Sequence, residues 1–341
     1  MPKTILVTGG AGYVGNVLVR ALLSKGYKVR ILDKLIFTET SLNDIKDRIE
    51  LIKEDIRNVN PKILDNVWAI IHLAGFATEP TSQYNPRLTD LVNHIATERL
   101  ARMAKASGIE RFIFASSCSV YFTYDTPLLP PLYKESDRVN SISPYSLSKR
   151  AAEEALLELY DSHFSPVIFR KGTIYGLSPR MRYDLVLNSF VKDAFYCRRL
   201  TVNAGGQIYR PLVDIQDIIW SYIQALEMPL DKIGGKIFNV CNENWNIGEL
   251  ANRVKKNLKE EKNIDVEVNI QPVGIARNYQ ADNALFKEVF RFTPSRSLKD
   301  AILDIFSHLE NNPHQDLSSP IFYNDLWYKK IFETNQLNKT I

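Results

Sequence analysis

Thr8-Gly9-Gly10-Ala11-Gly12-Tyr13-Val14-Gly15 joins a short apolar run, Ile5-Leu6-Val7, to a segment from Tyr13 to Ser24. In that segment Val14, Val17, Leu18, Ala21 and Leu22 recur at helical spacing. Strand, glycine turn and helix, in that order, make a phosphate cradle. Gly9 permits the tight turn, Gly12 lets the backbone approach a pyrophosphate, and Gly15 lets the helix pack close to the sheet. The helix N-terminus, with Tyr13 and Val14, offers free N–H groups and partial positive charge to phosphate oxygens. A second strand, Lys28 to Asp33, ends in a carboxylate suited to the adenosine ribose hydroxyls. Asp33 repels a 2′-phosphate, so the pattern favours NAD over NADP, a preference that Lys34 softens slightly.

Outward from this loop, strands and helices alternate. Glu50 to Lys53, Val67 to Leu73, Arg111 to Ser116 and Pro166 to Arg170 read as strands. Helices are expected over Arg87 to Ser107 and Ser146 to Tyr160. Continuous apolar strands alternating with helices imply a parallel sheet covered on both faces, an α/β fold of the Rossmann-type doubly wound kind. After residue 171 the pattern loosens, with helices near 184–197, 214–227 and 247–260 among short strands. The expected division is a dinucleotide-binding domain over 1–171 and a smaller α/β substrate domain over 172–310. Some segments of the second should return to the first. The tail, 311–341, carries Phe322, Tyr323, Trp327, Tyr328 and Phe332, so part of it should pack; its role is not written in the sequence.

The chain has 341 residues, 45% apolar and 24% charged, with a net charge of +4. Its basic residues form no long run, which argues against nucleic acid as a partner. Three separated cysteines without a CxxC pair suggest neither a disulfide framework nor a zinc site. His94, His163, His308 and His314 show no ligand spacing, and His72 reads as part of a strand-end turn, so no metal is expected. The longest apolar stretch, near Val67 to Ala77, is too short to cross a bilayer. A strand starts at once, leaving no room for a leader, and a cytoplasmic protein is expected.

Tyr145-Ser146-Leu147-Ser148-Lys149 places a tyrosine and a lysine on one helix face. An ammonium beside a phenol favours phenolate and brings Tyr145 toward use as an acid or base. The fifth strand runs into Ser116-Ser117-Cys118-Ser119-Val120-Tyr121, where ligands of such sheets sit. A hydroxyl there can hold a substrate oxygen beside the tyrosine.

These pieces together resemble the NAD-dependent epimerase/dehydratase family of extended short-chain dehydrogenases/reductases, which act on nucleotide sugars. The resemblance rests on TGGAGYVG, Asp33, Asp55-Ile56, His72-Leu73-Ala74-Gly75, Asn93, SSCSVY, YSLSK, FRKGTIYG, the stretch from Gly206 to Asp214 and that from Arg277 to Asp282. It implies Ser117 as the catalytic hydroxyl, Tyr145 as acid/base, and Lys149 as the residue that lowers its pKa and meets the nicotinamide ribose. Asp55 and Ile56 are implied on the adenine side, and Leu73, Ala74, Gly75 and Asn93 along the cofactor. Arg210 and Arg277 are implied as diphosphate ligands, with Asn188 as a further hydrogen-bond donor to the diphosphate and Thr173 on the substrate side. The family also implies a homodimer built on the helices near 87–107 and 146–160. Leu88, Leu91, Ile95, Ala152, Ala155 and Leu159 suit that seam, or equally packing on the sheet.

The departures narrow the reaction. Family 4,6-dehydratases carry Asp-Glu after the catalytic hydroxyl, where this chain has Cys118-Ser119, so dehydration is disfavoured. Cys118 is expected to be sheltered. Thr173, Asp214 and Ala77 depart from common 4-epimerase residues, and Arg180 and Arg182 are candidates to meet phosphate or sugar. The expected activity is nucleotide-sugar 4-epimerisation by transient oxidation at C4. The alternatives are a C4 dehydrogenase or reductase and a silent dinucleotide-binding scaffold.

Overall fold

The structure is a computed structural model that describes residues 2–38, 40–123, 126–272 and 277–334. Fourteen strands follow along the described chain: β1 Thr4–Thr8, β2 Lys28–Asp33, β3 Ile49–Lys53, β4 Val67–His72, β5 Arg111–Ser117, β6 Leu132–Tyr133 and β7 Ser165–Lys171. The later ones are β8 Thr173–Tyr175, β9 Arg199–Val202, β10 Tyr209–Asp214, β11 Lys236–Val240, β12 Glu243–Asn246, β13 Glu267–Ile270 and β14 Gln280–Ala281. Seven of them form one sheet in the order β11-β7-β5-β4-β1-β2-β3, every pair parallel. The order reverses between β1 and β4, which opens a crevice at their carboxyl ends.

Side-chain alternation explains the two faces. Ile5 and Val7 enter one core while Leu6 enters the other, and Ile71 and Ile70 on β4 divide the same way. Both faces are apolar because helices cover both. Helix Tyr13–Ser24 lies on the first face with Ile215–Glu227. Ala96–Ala106 and Pro144–Glu158 lie on the second. The smaller sheet, β12-β10-β8, stands beyond the carboxyl ends, and β11 returns the chain to the large sheet.

Two local features differ from the expected elements. The helix expected over 87–107 is interrupted: Pro86–Asp90 passes through a π-helical turn, Leu91–Ile95, into Ala96–Ala106. The wider turn carries Asn93, whose side chain takes the Phe76 N–H at 2.8 Å and donates to the Phe76 carbonyl at 3.1 Å. A short helix, Glu79–Tyr84, was not expected; Thr78 caps it and Pro80 opens its first turn.

His72 is more than part of a turn. Its ring is fully buried between the Thr8 hydroxyl at 2.6 Å and the Thr97 hydroxyl at 2.8 Å, tying β4 to β1 and to the helix behind. Burial, then the charge of Lys149, pulls its pKa down to about 3, so it is a neutral strut. Among the described residues no group of three or more His, Cys, Asp or Glu could hold a metal, and no helix is long and apolar enough to cross a membrane.

Candidate active site

A cavity of about 660 Å³ opens at the topological switch point and runs from β2 to the small sheet. Gly9, Gly12, Tyr13, Val14 and Gly15 form its floor. Gly9 has a φ of +73°, and a Cβ on Gly15 would stand 2.2 Å from the Gly9 carbonyl oxygen. The turn therefore tolerates no side chain at Gly15: its own carbonyl, as much as helix packing, excludes one. Gly12 is the N-cap of helix Tyr13–Ser24 and makes no side-chain cap, so the first amides face the cavity without an internal acceptor.

Asp33 lines one end. Its carboxylate accepts from the Ala11 N–H at 2.9 Å and the Leu35 N–H at 2.8 Å, which fixes the group at the rim. Lys34 turns away to donate to Asp55 at 2.8 Å, and Arg57 donates to the same carboxylate. Despite partial burial, these cations hold Asp55 well below the usual carboxylate range. The lysine expected to soften the preference for NAD is thereby neutralised. The Asp55 carboxylate is committed as well, although Asp55 and Ile56 still line the cavity. Leu73, Ala74 and Gly75 continue the wall.

Asn93 is not on that wall. Besides its bonds to Phe76 it donates to the Ser148 hydroxyl at 3.1 Å, so it clamps the turn after β4 to helix Pro144–Glu158 from behind. Asn188 is likewise committed. It accepts from the Gly176 N–H at 3.0 Å and donates to the Arg182 carbonyl at 2.9 Å and the Tyr13 hydroxyl at 3.1 Å. The expected diphosphate contact has no free donor there.

Ser117, Tyr145 and Lys149 come together where β5 meets the N-terminal turns of helix Pro144–Glu158. Ser143 caps that helix through a reciprocal pair with Ser146, which fixes the entry of Tyr145. Ser117 accepts from the Ser119 N–H at 3.1 Å and shares a hydrogen bond with Tyr145. Lys149 is buried, donates to the Ala115 carbonyl at 3.0 Å and lies over the Phe114 ring. Burial and then Lys171 bring its pKa down to about 7. Tyr145 is pushed up to about 12 by burial, with the Ser117 bond acting in the opposite direction. The depression expected from Lys149 does not arise in the protein by itself. The ammonium is spent on a carbonyl and is poorly solvated.

The far end is basic. Arg210 is buried, stacks on Tyr279 with 5.0 Å between guanidinium carbon and ring centre, and donates to the Tyr209 carbonyl. Burial brings its pKa down to about 9. Arg277 lines the cavity beside it. Neither forms an ion pair among the described residues, and a buried unpaired guanidinium is a site for an anion. Thr173 lines the same region.

Of the other two arginines, Arg182 pairs with Asp184 at 2.6 Å, and Arg180 stacks on Phe37 at 3.6 Å while donating to the Asn324 side chain at 2.7 Å. They organise the cavity wall. Cys118 is fully buried, its thiol donates to the Arg170 carbonyl at 3.1 Å, and burial pushes its pKa up. It is inert where a dehydratase has its acid.

The tail contributes residues that sequence reading left without a role. Helix Asn324–Glu333 lays Tyr328 against Phe37 and Phe76, and the Trp327 indole donates to the Ile36 carbonyl at 2.9 Å. Asn324, Asp325 and Tyr328 line the cavity next to the loop after Asp33. Only the aromatic spacing of the tail hinted at this.

Residues 5–241 match the NAD dependent epimerase/dehydratase family, and the chain belongs to it. A protein of Methanocaldococcus jannaschii, provisionally named a UDP-glucose 4-epimerase, is 30% identical over 65% of this chain and 73% of its own length. UDP-glucuronic acid decarboxylase 1 of Arabidopsis thaliana is 31% identical over 90% of this chain and 70% of its own. The UDP-glucuronic acid 4-epimerase of Bacillus cereus, solved with UDP-glucuronic acid and NAD, superposes with a TM-score of 0.76 at 25% identity, covering 90% and 99% of the two chains. Membership makes NAD the cofactor. The side-chain-free turn at Gly9 and Gly15, the uncapped helix and the rim carboxylate of Asp33 fit it.

Proposed function

We propose that this protein is an NAD-dependent nucleotide-sugar 4-epimerase. The supporting observation is one continuous cavity that joins the glycine turn, the Ser117–Tyr145 hydroxyl pair and two arginines that form no ion pair among the described residues. When bound, NAD supplies the hydride acceptor and donor at C4 and a positive charge near the phenol. Tyr145 takes the proton of the C4 hydroxyl and later returns it. Ser117 holds the same oxygen, and Lys149 meets the ribose and steadies the phenolate. Gly9, Gly12, Tyr13, Val14 and Gly15 hold the pyrophosphate, Asp33 the adenosine ribose, and Asp55 and Ile56 flank the adenine. Leu73, Ala74 and Gly75 line the cofactor, and Asn93 supports them from behind. Arg210 and Arg277 take the sugar diphosphate, so the 4-keto sugar can rotate while anchored, with Thr173 on the sugar side.

With Cys118-Ser119 after Ser117, no carboxylate follows the catalytic hydroxyl to drive elimination. The test is incubation with UDP-, dTDP- and GDP-hexoses and chromatography of the products. The C4 epimer is expected without added cofactor. Stoichiometric accumulation of NADH with a 4-keto sugar would contradict the reading and favour a C4 dehydrogenase.

A second copy of this chain is the proposed macromolecular partner. Leu91, Ile95 and Leu147 are exposed on neighbouring helices, an apolar patch of the kind that marks an interface. Leu88, Ala152, Ala155 and Leu159, which suited that seam or packing within the subunit equally, are buried within the subunit. A monomer mass by light scattering at micromolar concentration would exclude the dimer. The exposed free thiol of Cys197 suits a reducing, cytoplasmic setting; recovery from a secreted or periplasmic fraction would contradict it.

A further inference from the structure

Lys171 is the unexplained cation of this site. It ends β7 at the carboxyl edge of the large sheet, in register with Ser117 of β5. Register partners on neighbouring strands stand about 5 Å apart, with their side chains on one face. The preceding pair, Ser116 and Arg170, both bond Glu153 on helix Pro144–Glu158. Ser117 and Lys171 therefore face the other way, and both line the cavity, as does Thr173. Neither the Lys171 ammonium nor the Thr173 hydroxyl makes a hydrogen bond or ion pair among the described residues. The acids of the cavity wall are engaged elsewhere. Asp184 holds Arg182, Asp55 holds Lys34 and Arg57, and Asp33 accepts from the backbone at the cofactor end. Glu54, next to Asp55, and Asp325, on the tail helix beside Phe37, belong to that end too. Burial, then the charge of Arg182, brings the Lys171 pKa down to about 8, so the group is still cationic at pH 7. A poorly solvated cation without a partner, lining a cavity, is a place for an anion.

We propose that Lys171 reads the sugar: its ammonium, with the Thr173 hydroxyl, binds a carboxylate on the hexosyl ring, so the substrate is a nucleoside-diphosphate hexuronic acid, a hexose oxidised at C6. This rests on the nucleotide-sugar reading above. On that reading Arg210 and Arg277 match the two charges of the diphosphate. Lys171 is a third cation, and it is rooted beside Ser117, the hydroxyl that holds the C4 oxygen. A side chain starting one strand away from that oxygen reaches the groups on the neighbouring ring carbons, C3 and C5. Of these, only an oxidised C6, carried on C5, bears a charge. A carboxylate accepts from ammonium and hydroxyl together, whereas a neutral hydroxymethyl group leaves the ammonium desolvated and unmatched.

Calorimetry at pH 7 should compare UDP, dTDP and GDP, and then the glucosyl and glucuronosyl conjugates of whichever diphosphate binds, on wild type, Lys171→Met and Lys171→Gln. The wild type is expected to bind the uronic conjugate at least about tenfold more tightly than the neutral one. Both variants should narrow that ratio by about tenfold, with affinity for the free diphosphate unchanged. A purely structural Lys171 would lower the melting temperature and leave the ratio alone. An unchanged ratio, or wild-type preference for the neutral sugar, overturns the proposal. So does an equal loss of affinity for the free diphosphate, which would make Lys171 a third diphosphate ligand. Failure of every diphosphate to bind overturns the nucleotide-sugar reading itself, and the proposal with it.

Discussion

Replacing Tyr145 by phenylalanine is expected to lower kcat by about 10²–10⁴-fold while leaving substrate binding nearly unchanged. The ring is buried against Ser117 and the substitution removes only the hydroxyl, so packing survives. What is lost is the one group placed to exchange a proton with the C4 oxygen. The protein by itself holds that phenol near pKa 12, too weak an acid to ionise at neutral pH. Its activation must come from charges brought close in the ternary complex, with Lys149 redirected from the Ala115 carbonyl. Steady-state kinetics with calorimetric binding checks this. A Tyr145→Phe enzyme with full turnover would remove the acid/base from the account.

The second large effect concerns retention of the cofactor. Helix Asn324–Glu333 closes the cavity beside Asp33 through Tyr328, held between Phe37 and Phe76, and through the Trp327–Ile36 hydrogen bond. Arg180, stacked on Phe37 and bonded to Asn324, joins this helix to the small-sheet side. An adenosine group lying along Asp33 would be covered by that helix. Truncating a buried aromatic costs about 3–5 kcal/mol of packing, and part of that loss falls on the closed, cofactor-binding arrangement. The double substitution Trp327→Ala with Tyr328→Ala is expected to weaken NAD binding at least about tenfold. Purified protein should then require added NAD for turnover. The check is the nucleotide released from purified protein on denaturation, compared with wild type. Equal NAD content in both would show that the helix does not hold the cofactor.

Much of this was legible in local sequence. The glycine turn, the parallel strands and the Tyr145–Lys149 spacing are short-range patterns, and each states its own structural context. Gly15 was assigned to helix packing, but the nearest obstacle is the Gly9 carbonyl, a detail of turn geometry that residue types do not carry. What periodicity could not reveal was made by long-range meetings. Tyr328 against Phe37, Arg180 against Asn324 and Asn188 against Tyr13 join segments far apart in the chain. Asn188 and Asn93 were implied as ligand contacts by the resemblance; in the fold they bond backbone groups and the Tyr13 and Ser148 hydroxyls of the chain itself.

The central claim is that oxidation at C4 and its reversal happen within one turnover, on a sugar that does not leave. The most direct measurement uses the preferred nucleotide hexose deuterated at C4, turned over in ordinary water with excess unlabelled NAD. The account predicts that deuterium stays on C4 in both epimers through many turnovers. Loss of the label to free NADH or to solvent, at a rate comparable with turnover, would contradict it.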